Sequence, residues 1–132
     1  MPIGKIGSVF VERILGDAMH ELSIALSILD MAEEEADRLG GVRILGIHMK
    51  LGPLSGVVKQ ALLNAYELAR EGSPLASTSL VIEEVPLLVH CPTCLTTRTV
   101  VSVQRMCCNV CGTPTPQVVS GREMEVVALE IQ

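Results

Sequence analysis

Cys91-Pro92-Thr93-Cys94 and Cys108-Asn109-Val110-Cys111 are two C-x2-C pairs separated by thirteen residues. No other feature limits so strongly what this chain can fold into. Two intervening residues let one tight turn present both sulfurs to one ion, and the spacer is near the zinc-ribbon range. Gly112 follows the second pair, where such a turn needs positive φ. Four thiolates complete a tetrahedron around Zn(II) and leave no open position, so the site folds a small module and does no chemistry. Four buried free thiols are the competing reading, which paired spacing of this kind opposes. Cys107 leaves one ambiguity. It could replace Cys108 in a C-x3-C pair, but the regular pairing favours Cys108 and leaves Cys107 as a spare thiol.

Composition frames the rest. The chain has 132 residues, 48% of them hydrophobic, which suits one modest domain with a small module attached. Aromatics reduce to Phe10 and Tyr66, with no Trp, and the net charge is −5. Both facts oppose nucleic acid as a partner, because base stacking needs aromatic faces and phosphate binding needs cations. Residues 19–90 hold ten acids and five bases, whereas residues 91–121 hold no acid and only Arg98 and Arg105. No carboxylate there competes with sulfur for a metal. No stretch approaches the ~20 apolar residues of a membrane span. Glu12, Arg13 and Asp17 interrupt any signal-peptide h-region. The expected location is the cytoplasm, where thiols stay reduced and an odd set of five cysteines points to metal.

Residues 1–18 have no clear period and read as an N-terminal extension, partly ordered at best. Residues 20–39 read as a helix, with Leu22, Ala25, Leu26, Leu29, Ala32, Ala36 and Leu39 on the core face. Ile24, Ile28 and Met31 widen that stripe, and Gly40-Gly41 stops it. Residues 42–51 alternate as a strand with Leu45, Ile47, Met49 and Leu51 inward, and Gly52-Pro53 turns the chain. A second helix spans 56–71 with Val58, Ala61, Leu62, Ala65 and Leu68 inward. Strands follow at 78–85 and 122–131, the last with Met124, Val126 and Ala128 on one face. The expected fold is α+β: two helices on a three-stranded sheet, with a zinc-ribbon-like module inserted. Domain boundaries follow as 19–88 with 119–132 for the α/β domain and 89–118 for the zinc-binding domain.

His20 and Glu21 open the first helix, and periodicity alone does not make them a site. The run Met19-His20-Glu21-Leu22-Ser23-Ile24-Ala25 resembles the opening of the HypA/HybF family of hydrogenase maturation factors. Further segments resemble that family too: Val42-Arg43-Ile44-Leu45-Gly46-Ile47, the turn Leu51-Gly52-Pro53-Leu54-Ser55-Gly56-Val57, Leu80-Val81-Ile82-Glu83-Glu84-Val85-Pro86, the cysteine pairs, and Gly121-Arg122-Glu123-Met124-Glu125-Val126. The resemblance covers residues 19–131. It implies a nickel-binding α/β domain, a zinc domain, and a metallochaperone that hands Ni(II) to a HypB-type GTPase and to the hydrogenase large subunit, with urease a second client in some members. It implies His20 as main nickel ligand, assisted by Glu21. In the family this tripeptide begins the protein, so the terminal amine can join the metal. Here Met19 is internal. Either translation starts at Met19, the reading we favour, or the extension is real and another donor replaces the amine.

Other candidates have plainer readings. His48 is expected to be solvated on a strand, and His90 to be a linker residue beside Cys91. Glu33-Glu34-Glu35 and Glu83-Glu84 read as solvated faces. No G-x4-G-K-[ST] loop and no Ser/His/Asp or Cys/His set is present, so the chain is expected not to be an enzyme, and any GTP is bound by a partner. The apolar and acidic faces of the first helix suggest docking to that GTPase and self-association as a homodimer. The rival function is a zinc-ribbon adaptor contacting nucleic acid or a protein partner.

Overall fold

The computed structural model describes residues 3–4, 9–10, 21–100, 102–115 and 117–132. The elements are β1 (Ile3–Gly4), β2 (Val9–Phe10), α1 (Glu21–Arg38), β3 (Ile44–Leu51), α2 (Lys59–Arg70), β4 (Ser79–Glu84), β5 (Leu88–Cys91), β6 (Thr96–Thr99), β7 (Val118–Ser120) and β8 (Met124–Ile131). They form two compact units: Met1–Lys50 with Val57–Glu83 and Met124–Gln132, and Leu51–Gly56 with Glu84–Glu123.

The first unit packs α1 and α2 with a sheet ordered β1-β8-β3-β4, β2 also pairing with β8. β3, β8 and β4 are the three expected strands. The short β1 and β2 add antiparallel pairs to β8, Ile3 opposite Glu130 and Val9 opposite Val126. The Thr78 hydroxyl donates to the Ile44 carbonyl at 2.7 Å, and the Val85 amide to the Leu51 carbonyl at 2.9 Å. These bonds tie the starts of β3 and β4 together and likewise their ends, so the two run parallel.

The buried face of α1 is Ile24, Ala25, Ile28, Leu29, Ala32 and Ala36, while Leu22, Leu26 and Leu39 are exposed. The expected face was rotated because two apolar series overlap in this helix. The line through Leu22 and Leu26 continues into Asp30, Glu34 and Asp37, whose charges keep it in water. The helix ends in left-handed Gly40 and Gly41, with the Gly41 amide donating to the Ala36 carbonyl at 2.8 Å.

α2 starts three residues later than expected. Pro53 opens a 3-10 turn, Pro53–Ser55, which left-handed Gly56 closes. Val58 is therefore the N-cap, 64% exposed, and Leu68 is 65% exposed. Leu62 and Tyr66, one turn apart, take the inward positions, with Ala61 and Ala65 half-buried. The Tyr66 hydroxyl donates to the Thr78 carbonyl at 2.7 Å, and Arg70 Nη1 donates to the same oxygen at 3.0 Å. Burial pushes the Tyr66 phenol up to about 12.

In β3, Ile47, Met49 and Leu51 are buried as expected. Ile44 is buried and Leu45 only half-buried, the reverse of the alternation, because Thr78 and Leu75 lie over the start of the strand. In β8, Met124 and Val126 are buried, but Leu129 replaces Ala128 in the next buried position. The parity slips by one residue between them.

The second unit has a sheet ordered β6-β5-β7, with Leu87, Val89 and Val100 as its buried cluster and Leu54, Met106 and Val118 packed against it. Its backbone closes at Gly52. The Gly52 amide donates to the Glu123 carbonyl at 2.7 Å and the Leu54 amide to the Gly121 carbonyl at 2.8 Å. A Cβ on Gly52 would lie 2.1 Å from the Gly121 oxygen, so only glycine fits this crossing.

Candidate metal centre

The Cys91, Cys94, Cys108 and Cys111 sulfurs all lie within 4.8 Å of one another. Cys91 ends β5, and the turn from it to Thr96 of β6 carries Cys94. The second pair is built the same way without regular strands around it. The Cys108 amide donates to the Thr113 carbonyl at 2.8 Å and brackets the turn that carries Cys111. In each knuckle the amide of the second cysteine points at the sulfur of the first, Cys94 to Cys91 at 3.3 Å and Cys111 to Cys108 at 3.4 Å. In each, the residue after the second cysteine donates back to the first cysteine's carbonyl, Leu95 at 2.8 Å and Gly112 at 3.0 Å. The Thr93 and Thr113 hydroxyls meet at 3.0 Å across the knuckles.

That shared geometry puts the last residue of each turn in the left-handed region, Leu95 at φ 56° and Gly112 at φ 78°. Glycine adopts it freely. For leucine it costs about 1–2 kcal/mol, and Leu95 is the only non-glycine residue there among those described.

The donor set fits a structural zinc ion. Tetrahedral zinc with bonds of about 2.3 Å places its sulfurs about 3.8 Å apart. Here Cys91 and Cys111 sulfurs are 3.6 Å apart, and Cys94 and Cys108 sulfurs 3.8 Å. The Cys111 and Val110 amides hold the Cys108 thiol down at about 6, in the thiolate form a metal takes. The Arg98 guanidinium beside Cys94 favours its thiolate, but the sulfurs of Cys111, Cys91 and Cys108 and burial outweigh it and push that thiol up to about 11. Four thiolates this close repel one another, and a divalent cation among them removes the conflict. Arg98, on β6, adds a further positive charge facing the Cys94 and Cys108 sulfurs. Its Nε is buried without a hydrogen-bond partner. Sequence reading counted Arg98 only as a charge; its position follows from its pairing with Val89 of β5.

The structure separates Cys107 from the group. Its backbone bridges to Pro114, and its half-buried thiol belongs to a cavity of about 510 Å3 lined also by Ser102, Arg105, Cys108, Asn109 and Gly112. His20 lies outside the described residues, and Glu21 is the first residue of α1. His48 on β3 faces Glu130 of β8 at 3.5 Å, both partly exposed. His90 is half-buried on β5 opposite Thr97, and its amide donates to the Gln117 carbonyl at 3.0 Å. Among the glutamates, Glu35 pairs with Arg38 one turn on, which holds its carboxyl below the usual range.

An α+β unit of two helices on a sheet, joined in sequence to a unit holding a four-cysteine cage, defines a class of small metal-binding proteins. The family described as "Hydrogenase/urease nickel incorporation, metallochaperone, hypA" matches residues 19–131, and the chain belongs to this HypA family. Hydrogenase maturation factor HypA of Chloroflexus aggregans is 46% identical over 112 residues, covering 85% of this chain and 98% of that one. The corresponding factor of a Roseiflexus species is 45% identical, covering 86% and 93%. The fold is similar to the solution structure of the Ni metallochaperone HypA from Helicobacter pylori, with a TM-score of 0.59 at 24% identity over 86% of this chain and 97% of that one. A second HypA solution structure gives a TM-score of 0.63 at 24% identity, covering 87% and 98%. Among the described residues, no helix is long and apolar enough to cross a membrane.

Proposed function

We propose that this chain is a cytoplasmic nickel metallochaperone that delivers Ni(II) for hydrogenase maturation, with urease as a second client. It acts by binding and release, not catalysis. His20 and Glu21 take the cargo, while Cys91, Cys94, Cys108 and Cys111 hold a structural zinc ion. A HypB-type GTPase and the hydrogenase large subunit are its partners. One observation carries the reading: the family match, described by nickel incorporation, opens at Met19-His20-Glu21 and runs to residue 131.

The chemistry supports a division of labour. Imidazole and backbone nitrogen suit Ni(II). A ligand set at the start of a helix is shallow and surrenders its ion readily, whereas four thiolates around one ion leave no open position through which a partner could take it. The same contrast explains why one chain would use two ligand chemistries for two metals.

Calorimetric titration of nickel into zinc-loaded wild type and His20→Ala tests the assignment. The expected result is loss of nickel binding with zinc retained. Unchanged nickel binding in His20→Ala would remove His20 from the site.

A further inference from the structure

The four sulfurs of the cage do not share one kind of hydrogen-bond donor. The Cys91 sulfur faces the Cys94 amide at 3.3 Å. The Cys108 sulfur faces the amides of Val110 and Cys111, both at 3.4 Å. The Cys111 sulfur lies 3.1 Å from the Thr113 hydroxyl, which donates once that sulfur is a thiolate. Among the described residues, no amide or hydroxyl reaches the Cys94 sulfur, whose near neighbour at 3.8 Å is the Cys108 sulfur. The asymmetry has a local cause. Thr113 stands two residues after Cys111, and Thr96 stands two residues after Cys94. Thr96, however, is exposed on β6 opposite Cys91 and makes no bond to the Cys94 sulfur. One strand period further on, Arg98 is half-buried and faces the Cys94 and Cys108 sulfurs. A guanidinium stands in the first knuckle where a hydroxyl serves the second.

No carboxylate answers the charge of Arg98. The ion pairs among the described residues are Arg38 with Glu35, His48 with Glu130 and Arg70 with Glu67. Residues 85–122 hold no acid at all. Arg98 Nε is buried without a partner, and a desolvated guanidinium is costly unless an anion faces it. The loaded cage is such an anion. The two positive charges of zinc against four thiolates leave it with two negative charges. Opposite charges held this close, partly out of water, attract more strongly than they would in solvent.

We propose that Arg98 is the counter-ion of the loaded zinc cage, a positioning residue that acts through the Cys94 sulfur to hold the metal in place. The inference rests on the four-cysteine zinc site of the functional reading above and is independent of the nickel assignment. A thiolate without a donor keeps its full charge density, so it is the ligand most ready to take a proton and leave the metal. The guanidinium draws on that density without competing for the ion, because it has donors only and no lone pair to offer. Its place opposite Val89 in the hairpin fixes it there before the metal arrives.

The full chain is compared with Arg98→Met, which keeps an unbranched stem beside Val89 and removes the charge, and with Arg98→Lys, which keeps the charge. Chelator competition reads zinc affinity, and cobalt substitution reads the sulfurs through their thiolate-to-metal charge-transfer band. Arg98→Met is expected to weaken zinc binding about tenfold or more, the usual effect of losing the partner of a metal ligand. Its cobalt charge-transfer band is expected at lower energy, with the visible bands of a tetrahedral site in place. Arg98→Lys is expected to restore most of the affinity. Arg122→Met, which removes an exposed charge from the same unit, is expected to bind zinc as the wild type does. Wild-type affinity with an unshifted band in Arg98→Met overturns the proposal and leaves the zinc site standing. Equal losses in Arg98→Met and Arg98→Lys also overturn it, because Arg98 would then serve the fold and not the charge. Where Arg98→Met takes up no metal, Arg98→Lys decides: zinc retained supports the proposal, and zinc lost overturns it. A loss in Arg122→Met as large as that in Arg98→Met makes the effect one of net charge and overturns the placement. A wild-type chain that takes up no zinc overturns the four-cysteine site itself, and this proposal with it.

Discussion

The two units of this chain solve the same problem by different means. The α/β unit buries Ile24, Ile28, Ile47, Met49, Leu62, Tyr66, Val126 and Leu129 almost completely. Each such aliphatic side chain contributes about 1.5–3 kcal/mol relative to leaving it in water. The zinc unit buries a cluster of Leu87, Val89 and Val100. A core that small rarely holds a fold, and fewer than ~70 residues usually need a metal or disulfide staple. Its order comes from sulfur ligands and from backbone crossing at Gly52. The comparison teaches that apolar content averaged over the chain hides where stability resides: in one unit it is area removed from water, in the other it is coordination.

Removing the metal should break the comparison most sharply. Structural zinc sites of four cysteines are worth about 10–16 kcal/mol in apparent terms near neutral pH. Chelation is expected to collapse the amide NMR signals of residues 84–123 while those of residues 21–50 keep their dispersion. Collapse of both sets would show that the α/β core does not stand on its own burial.

Paired substitutions sharpen the contrast at the next magnitude. Ile28→Ala should cost about 2–5 kcal/mol by leaving a cavity, read as a lower urea midpoint for the α/β unit with zinc affinity preserved. Gly52→Ala should cost about 3 kcal/mol or more, because its Cβ meets the Gly121 carbonyl, a backbone group that cannot swing aside. That loss should appear in the zinc unit. An Ile28→Ala protein that sheds zinc would contradict the division.

The smallest effect is expected at Cys107. Cys107→Ser should keep one zinc per chain and change stability by no more than ~0.5 kcal/mol, while Cys108→Ser loses the metal. Metal analysis of the two purified variants reads this directly, and zinc retained in Cys108→Ser would redraw the cage.

The cage was legible in the sequence because ligand spacing is a local property. A tight turn with two intervening residues brings its sulfurs together whatever the rest of the chain does. The order of α1, β3, α2, β4 and β8 was legible for the same reason, each carrying its own period and stop signals, whereas the short β1, β2, β5, β6 and β7 carried none that was read. Which face each helix buries was not. α1 carries two overlapping apolar lines, and only packing chooses the one through Ile24 and Ile28. In α2, Leu68 fitted the pattern, yet Tyr66 took the buried place with Thr78 as its acceptor, a partner twelve residues away. Leu95 and Arg98 carried no one-dimensional signal either. The strain of one and the aim of the other exist only once β5 and β6 form a hairpin around the metal.

Tyr66 gives the chain an optical property that follows from its place in the α/β core. It is the sole tyrosine, and there is no tryptophan. Near-ultraviolet absorbance and intrinsic fluorescence of aromatic side chains therefore belong to that unit, which also holds Phe10 with its weak signal. Cobalt in place of zinc would colour the other unit through its thiolates alone. Each half of the molecule can thus be watched in its own spectral window, without a label and within a single sample.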